Sequence, residues 1–223
     1  MPRLVPSIAR RYIFFMVMQR STKMPVPRPA EPDDRVILHG IGWAQYEAIR
    51  DATDHIAGLH LTYLDGTLEI MRPSSRHERI KKLIARLVEA YAEELDLTMT
   101  GFGSTTYRRP EMQRALEPDE CYVFGVGKEE PDIAIEVVIT GGGIDKLAVY
   151  RGLGVKEVWF WVDGRVEIHQ LGEAGYERSQ RSRFLPDLDP EELAGIIASA
   201  GDYDQTQVVK RFRTRLAERR ARL

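Results

Sequence analysis

The chain is poor in the residues that would make it a secreted or membrane protein. It has one cysteine, Cys121, so neither an intramolecular disulfide framework nor a multi-cysteine zinc site is available. Near the N-terminus the apolar stretch Ile13–Met18 is only six residues long, whereas a bilayer-spanning helix needs about 20. The same stretch is shorter than the apolar region of a signal peptide, and no small-x-small cleavage site follows it. Its glycine-rich stretch, Gly141-Gly142-Gly143, is not followed by Gly-Lys-Ser/Thr, so it is no phosphate-binding P-loop. His39, His55, His60 and His169 have no second histidine or cysteine at metal-ligand spacing. Internal repeats, low-complexity segments and a helix-turn-helix pattern are also missing. What remains is 223 residues, 43% apolar and 30% charged. That composition describes a globular protein with a sizeable core, expected in a reducing cytosol and without membrane partners.

Charge is unevenly spread. Residues 1–30 hold Arg3, Arg10, Arg11, Arg20, Lys23 and Arg28 and no acid; residues 208–223 hold seven basic groups against Glu218. Each end therefore carries +6, and removing both from the overall −2 leaves −14 on residues 31–207. An acidic body disfavours broad contact with phosphate backbones, which need cations, so nucleic acid would be met locally, through the ends, or through a metal. Residues 1–35, with Pro25, Pro27, Pro29 and Pro32, are expected to be a flexible basic segment or an over-extended start, with Met18 and Met24 as alternative starts. Residues 201–223 are expected to form a basic C-terminal helix. Its Lys210–Arg222 cluster is either a solvated face or a nucleic-acid contact.

Between these ends the pattern is mixed α/β. Trp43, Tyr46 and Ile49 mark one side of a helix over Gly42–Ala52. Leu59–Leu64 and Thr67–Met71 flank Asp65-Gly66, and Val155–Val162 and Arg165–Gln170 flank Asp163-Gly164. Asp-Gly suits the positive φ angles of a two-residue hairpin turn. After a capping Ser74 or Ser75, Ile80, Leu83, Ile84, Leu87, Val88, Tyr91 and Leu95 repeat at helical spacing. Short strands are predicted near Leu97–Phe102 and Ser104–Tyr107, then Cys121–Phe124 and Ile133–Ile139. Helices are predicted over Ile144–Leu153, Pro190–Ala200 and Gln205–Ala221.

Glu136 is out of place in Ile133-Ala-Ile-Glu-Val-Val-Ile139, a run typical of a strand buried on both faces. An ionised carboxylate without a partner is very costly there. Either it sits at an exposed strand end paired with a Lys or Arg, or it serves a site. Glu117-Pro118-Asp119-Glu120 enters one strand, and Pro131-Asp132 enters the strand carrying Glu136. Asp119 and Glu136 on neighbouring strands would put two hard oxygen ligands at one sheet end, which suits Mg²⁺. Lys146, just after the glycine loop, would steady a phosphate or orient water. Together these are the minimum for metal-assisted phosphodiester hydrolysis.

Seven phrases then occur in order: Leu61-Thr-Tyr-Leu-Asp-Gly-Thr-Leu-Glu-Ile-Met71, Pro73-Ser-Ser-Arg-His-Glu78, Gly103-Ser-Thr-Thr-Tyr107, Glu117-Pro-Asp-Glu-Cys-Tyr122, Pro131-Asp-Ile-Ala-Ile-Glu-Val137, Lys146-Leu-Ala-Val-Tyr150 and Gly154-Val-Lys-Glu-Val-Trp159. In these phrases, over about residues 37–190, the chain resembles the Uma-two restriction endonucleases of the PD-(D/E)XK nuclease superfamily. The resemblance implies a restriction-endonuclease-like mixed β-sheet core flanked by helices, occupying residues 36–200. It makes Asp119 and Glu136 the metal-binding carboxylates, with Mg²⁺ or Mn²⁺ as cofactor. The family lysine two residues after the glutamate is replaced here by Val138, and Lys146 on the following helix takes its place. Glu69 is implied as a further metal-side carboxylate, and His77 as a residue that orients water or contacts phosphate.

The resulting expectation is a metal-dependent endonuclease acting on DNA, with a homodimer as a way to cut two strands. Two rivals follow from other features. Val138 and the acidic body favour a nuclease-derived binding or interaction module that no longer cuts. The acidic surface also suits a small-molecule phosphodiesterase.

Overall fold

The computed structural model describes residues 32–201 and 204–221, and the N-terminal basic segment up to residue 31 lies outside them. The chain enters through strand β1 (Asp34–His39) and helix α1 (Trp43–Thr53), then the hairpin β2 (His60–Leu64) and β3 (Thr67–Arg72). A long helix α2 (Ser75–Glu94) and three short strands follow: β4 (Met99–Gly101), β5 (Tyr107–Arg109) and β6 (Arg114–Leu116). Next come β7 (Glu120–Phe124), β8 (Ile133–Val138), α3 (Lys146–Leu153) and β9 (Glu157–Val162). The chain ends in β10 (Arg165–Leu171), β11 (Tyr176–Ser179), α4 (Pro190–Ser199) and α5 (Gln205–Arg220). No described helix is long and apolar enough to cross a membrane.

These strands form two sheets. One is antiparallel with order β1-β3-β2-β6-β5; the other is mixed, β11-β10-β9-β8-β7-β4, with β8 and β9 its parallel pair. The expected mixed β-sheet core flanked by helices is present, and an antiparallel sheet accompanies it. The antiparallel sheet is built partly from β1, which starts at the end of the expected N-terminal segment 1–35 and runs beyond it, and from β6, in what reads as a charged loop. Their pairing partners are β3 and β2, distant in sequence. Both Asp-Gly turns form as their chemistry requires, with φ of 44° and 85° at Asp65 and Gly66, and 49° and 76° at Asp163 and Gly164. They fix the registers Leu64↔Thr67 and Val162↔Arg165.

Helix α2 starts where Ser74 Oγ accepts the backbone N–H of His77 at 3.2 Å. Its apolar stripe, Ile80, Leu83, Ile84, Leu87, Val88 and Tyr91, is buried in the main core with Ile133, Ile135 and Val137 of β8. Each such side chain contributes roughly 1.5–3 kcal/mol when fully buried. The opposite face of the mixed sheet carries a second cluster. It joins Ala134 of β8 and Val158 of β9 to Val149, Tyr150 and Leu153 of α3, and to Leu116 of β6. Helix α3 is thus the wedge between the sheets, and β8 is covered on both faces, as its apolar run predicts.

Helix α5 is built into the same core as α2 through Val208, Val209, Phe212 and Leu216. Its arginines are partly spent on that docking. Arg213 pairs with Glu93 and Glu94, Arg219 pairs with Glu192, and Arg220 donates to the carbonyl of Glu94.

Candidate active site

Glu136 shares a sheet face with Ala134, because strand side chains alternate, and that face looks toward α3. Antiparallel β7 pairs with β8 in the register Glu120↔Ile135 and Cys121↔Ala134. Carried one residue further, this register sets Asp119 opposite Glu136 on the same face. The Asp119 side chain is bonded to β8 at the next residue: its Oδ2 accepts the backbone N–H of Val137 at 2.7 Å. Both carboxylates are fully buried, at 1% and 0% exposure.

Helix α3 brings two further groups. Asp145 caps it, accepting the N–H of Ala148 at 3.2 Å. Lys146 and Tyr150, one helical turn apart, then point to the same carboxylate: Lys146 Nζ pairs with Glu136 Oε2, and Tyr150 Oη donates to Glu136 Oε1. Lys146 is the group's most open member, with 14% of its side chain exposed. Glu136 is therefore no strand-end carboxylate reaching for solvent. It is a core carboxylate held from two sides.

The electrostatics separate the two acids. Burial pushes Glu136 up to about 7; the charge of Asp119 adds to this, and Lys146 and Tyr150 oppose it. Burial alone would also raise Asp119, but His77, Lys146 and the Val137 N–H outweigh it and hold the group down at about 2. The Lys146 ammonium is favoured, because Glu136 and Asp119 more than offset its burial. The two acids are thus shifted in opposite directions, Asp119 down and Glu136 up. Opposed environments of this kind recur at reactive sites.

His77, in the first turn of α2, is completely buried. Its Nδ1 lies 3.0 Å from Asp33 Oδ2 and its Nε2 3.0 Å from Asp119 Oδ1. The first contact is a hydrogen bond, whereas the second is a close ionic approach without an aligned one. Glu69 on β3, also buried, accepts the N–H of Ile144 at 3.1 Å and pairs with Arg35 on β1 at 3.3 Å. Arg35 Nη1 donates to the carbonyls of Thr140 and Gly141, each at 3.3 Å. Glu69 and Arg35 together clamp the glycine loop that delivers Lys146. A cleft of about 560 Å³ bounded by Phe102, Tyr107, Arg108 and Glu130 lies apart, with none of these site residues in its lining.

All five candidates read from the sequence, Asp119, Glu136, Lys146, His77 and Glu69, fall around the β7–β8–α3 junction. Three partners were missed: Asp33, Arg35 and Tyr150. Tyr150 carried a signal, its i+4 spacing from Lys146. Asp33 and Arg35 carried none, standing beside Pro32 in what reads as a linker.

Among the described residues no group of three or more His, Cys, Asp or Glu side chains is arranged to hold a metal ion. Asp119 and Glu136 are nevertheless chemically suited to a hard divalent cation, which takes much of its coordination from water and substrate. Asp119 Oδ1 has the His77 ring 3.0 Å away and Oδ2 the Val137 N–H at 2.7 Å, so a cation would share this carboxylate with both through the remaining lone pairs of its oxygens.

The profile of the Uma2 family, described as "Putative restriction endonuclease", matches residues 43–200. The chain belongs to the Uma2 family, a nuclease family by that description. Among solved structures it is similar to the crystal structure of "a putative nuclease belonging to DUF820" from Anabaena variabilis ATCC 29413. Identity is 14% and the TM-score 0.43, over 61% of this chain and 90% of that one. No curated protein matches the chain in sequence.

Proposed function

We propose that this protein is a metal-dependent endonuclease that hydrolyses DNA phosphodiester bonds at the Asp119–Glu136–Lys146 site. The observation that carries the reading is the pair of buried carboxylates brought together by β7 and β8, Asp119 just before β7 and bonded to the Val137 N–H of β8, and Glu136 on β8 with the Lys146 ammonium on it. A core tolerates so much charge poorly without compensation, and metal-assisted phosphoryl chemistry needs this set of groups.

Mg²⁺ or Mn²⁺, when bound, supplies a Lewis acid and a water of lowered pKa. Asp119 and Glu136 would hold it. Asp119 stays anionic at any physiological pH, so it provides the permanent charge. Glu136, paired with the Lys146 ammonium and accepting from Tyr150, adds the second carboxylate. Lys146, the one member with part of its side chain open to solvent, meets the scissile phosphate and stabilises charge developing on its oxygens. Tyr150 keeps Glu136 in place through Oε1. Since Lys146 is present, Val138 at the usual lysine position is no obstacle to this chemistry.

The test is cleavage of supercoiled plasmid and of single-stranded DNA with Mg²⁺ or Mn²⁺, by wild type, Glu136→Gln and Lys146→Ala. Metal-dependent cleavage lost by at least about 100-fold in both variants is expected, as for removal of a transition-state charge partner. Cleavage by Glu136→Gln at the wild-type rate would refute the assignment. Folded wild type that binds neither metal would favour a non-cutting module, and hydrolysis of small phosphodiesters alone would move the substrate class.

A further inference from the structure

Asp33, His77 and Asp119 form one buried line across three elements. Asp33 Oδ1 accepts the N–H of Ser74, the α2 cap, at 2.7 Å, and its Oδ2 faces His77 Nδ1 at 3.0 Å. His77 Nε2 faces Asp119 Oδ1 at 3.0 Å, and Asp119 Oδ2 takes the Val137 N–H. All three side chains are at most 1% exposed. His77 therefore has no face open to solvent or to a substrate phosphate, and both ring nitrogens are directed at carboxylates.

We infer that Asp33 and His77 are positioning residues that act through Asp119, fixing the orientation in which its carboxylate meets the metal. Packing alone does not call for such a line. Apolar side chains of similar volume would fill the space at equal or lower cost, because buried ion pairs seldom gain net stability over hydrophobic replacements. Groups placed behind a ligand to set its direction are, by contrast, a general requirement of metal sites. Here the support also reaches the helix cap, since Asp33 ties Ser74 and His77 together. The start of α2 and the ligand are thus set by one residue from outside the family-matched segment. The inference rests on the nuclease reading above for the identity of the ligand.

The decisive measurement is Mn²⁺ binding by calorimetry on the full chain, with thermal unfolding alongside. It compares wild type, Asp33→Asn, His77→Gln, Glu136→Gln, Asp119→Asn and the double variant Asp33→Asn/Asp119→Asn. Asp33→Asn is expected to weaken Mn²⁺ binding about 10-fold or more while the protein remains folded. In the Asp119→Asn background it should cause no further loss, a non-additivity that a merely structural role would not produce. Wild-type affinity in both Asp33→Asn and His77→Gln, with Glu136→Gln impaired, would overturn the inference and leave the nuclease reading standing. Failure of both Asp33→Asn and His77→Gln to fold would make the line structural and overturn it too. Wild type without Mn²⁺ binding would remove the nuclease reading and this inference with it.

Discussion

Two histidines near the site show how far a side chain's surroundings decide what it is. His60, on β2, is mostly buried, and burial lowers its pKa, against the pull of Asp119. His77 faces the same burial, but Asp119 and Asp33 outweigh it and raise its pKa from 6.5 to about 9. A group that binds its proton more tightly when folded stabilises the fold fully below its unfolded pKa and loses that contribution as pH rises through the folded value. The metal-free protein should accordingly lose stability between about pH 7 and pH 9, by up to roughly 3 kcal/mol, since a tenfold change in proton affinity is ~1.4 kcal/mol. Urea midpoints in EDTA check this. The slope over that window should flatten in His77→Gln, and an unchanged slope would place the titrating group elsewhere.

At the scale of elements, the site depends on how the loop between β8 and α3 is anchored. Gly143 has no room for a side chain: a Cβ there would run into the Glu69 carboxylate, with Arg35 Nη1 at 3.2 Å. Gly141, two residues earlier, would meet nothing. Gly143→Ala should therefore cost about 1–3 kcal/mol, the usual range for overpacking, and should lower cleavage further by shifting Lys146. Gly141→Ala should stay within about 0.5 kcal/mol. Melting curves and cleavage rates for the pair check the contrast; equal effects would mean that the Glu69–Arg35 clamp does not set the loop. The sequence made this loop visible through its three glycines and placed the helix after it. It did not show that β1 and β3 hold the loop, because the Arg35–Thr140 contact joins residues 105 apart.

At the scale of the molecule, the basic C-terminal helix carries part of the core. Phe212 is 1% exposed and packs within the α2 cluster, so Phe212→Ala should cost about 3–5 kcal/mol, read as a lowered urea midpoint. A cost below about 1 kcal/mol would detach α5 from the core. Deleting the helix to test nucleic-acid binding would confound affinity with folding. Lys210 and Arg215, both exposed, are the residues whose substitution probes phosphate contact. The acidic body, −14 over residues 31–207, also finds a partial account. Glu93, Glu94 and Glu192 neutralise arginines of α5, and Asp33, Asp119, Glu136 and Glu69 are buried, each with a cationic partner.

The sequence by itself determined what depends on neighbours within a turn or two. The apolar stripe of α2, the Ser74 cap, the two Asp-Gly hairpins and the doubly buried β8 with Glu136 in it all follow from local periodicity and turn chemistry. Motif order along the chain brought Asp119, Lys146, His77 and Glu69 into view beside Glu136. Only the tertiary structure decided that β1 and β6 build a second sheet, that Arg35 and Glu69 clamp the glycine loop, and that Asp33 completes the line behind Asp119. Asp33 lies 44 residues from His77. Its partners become neighbours only when the residue before β1 meets the start of α2 and, through His77, the residue before β7, and no periodicity in a linear chain records such a meeting.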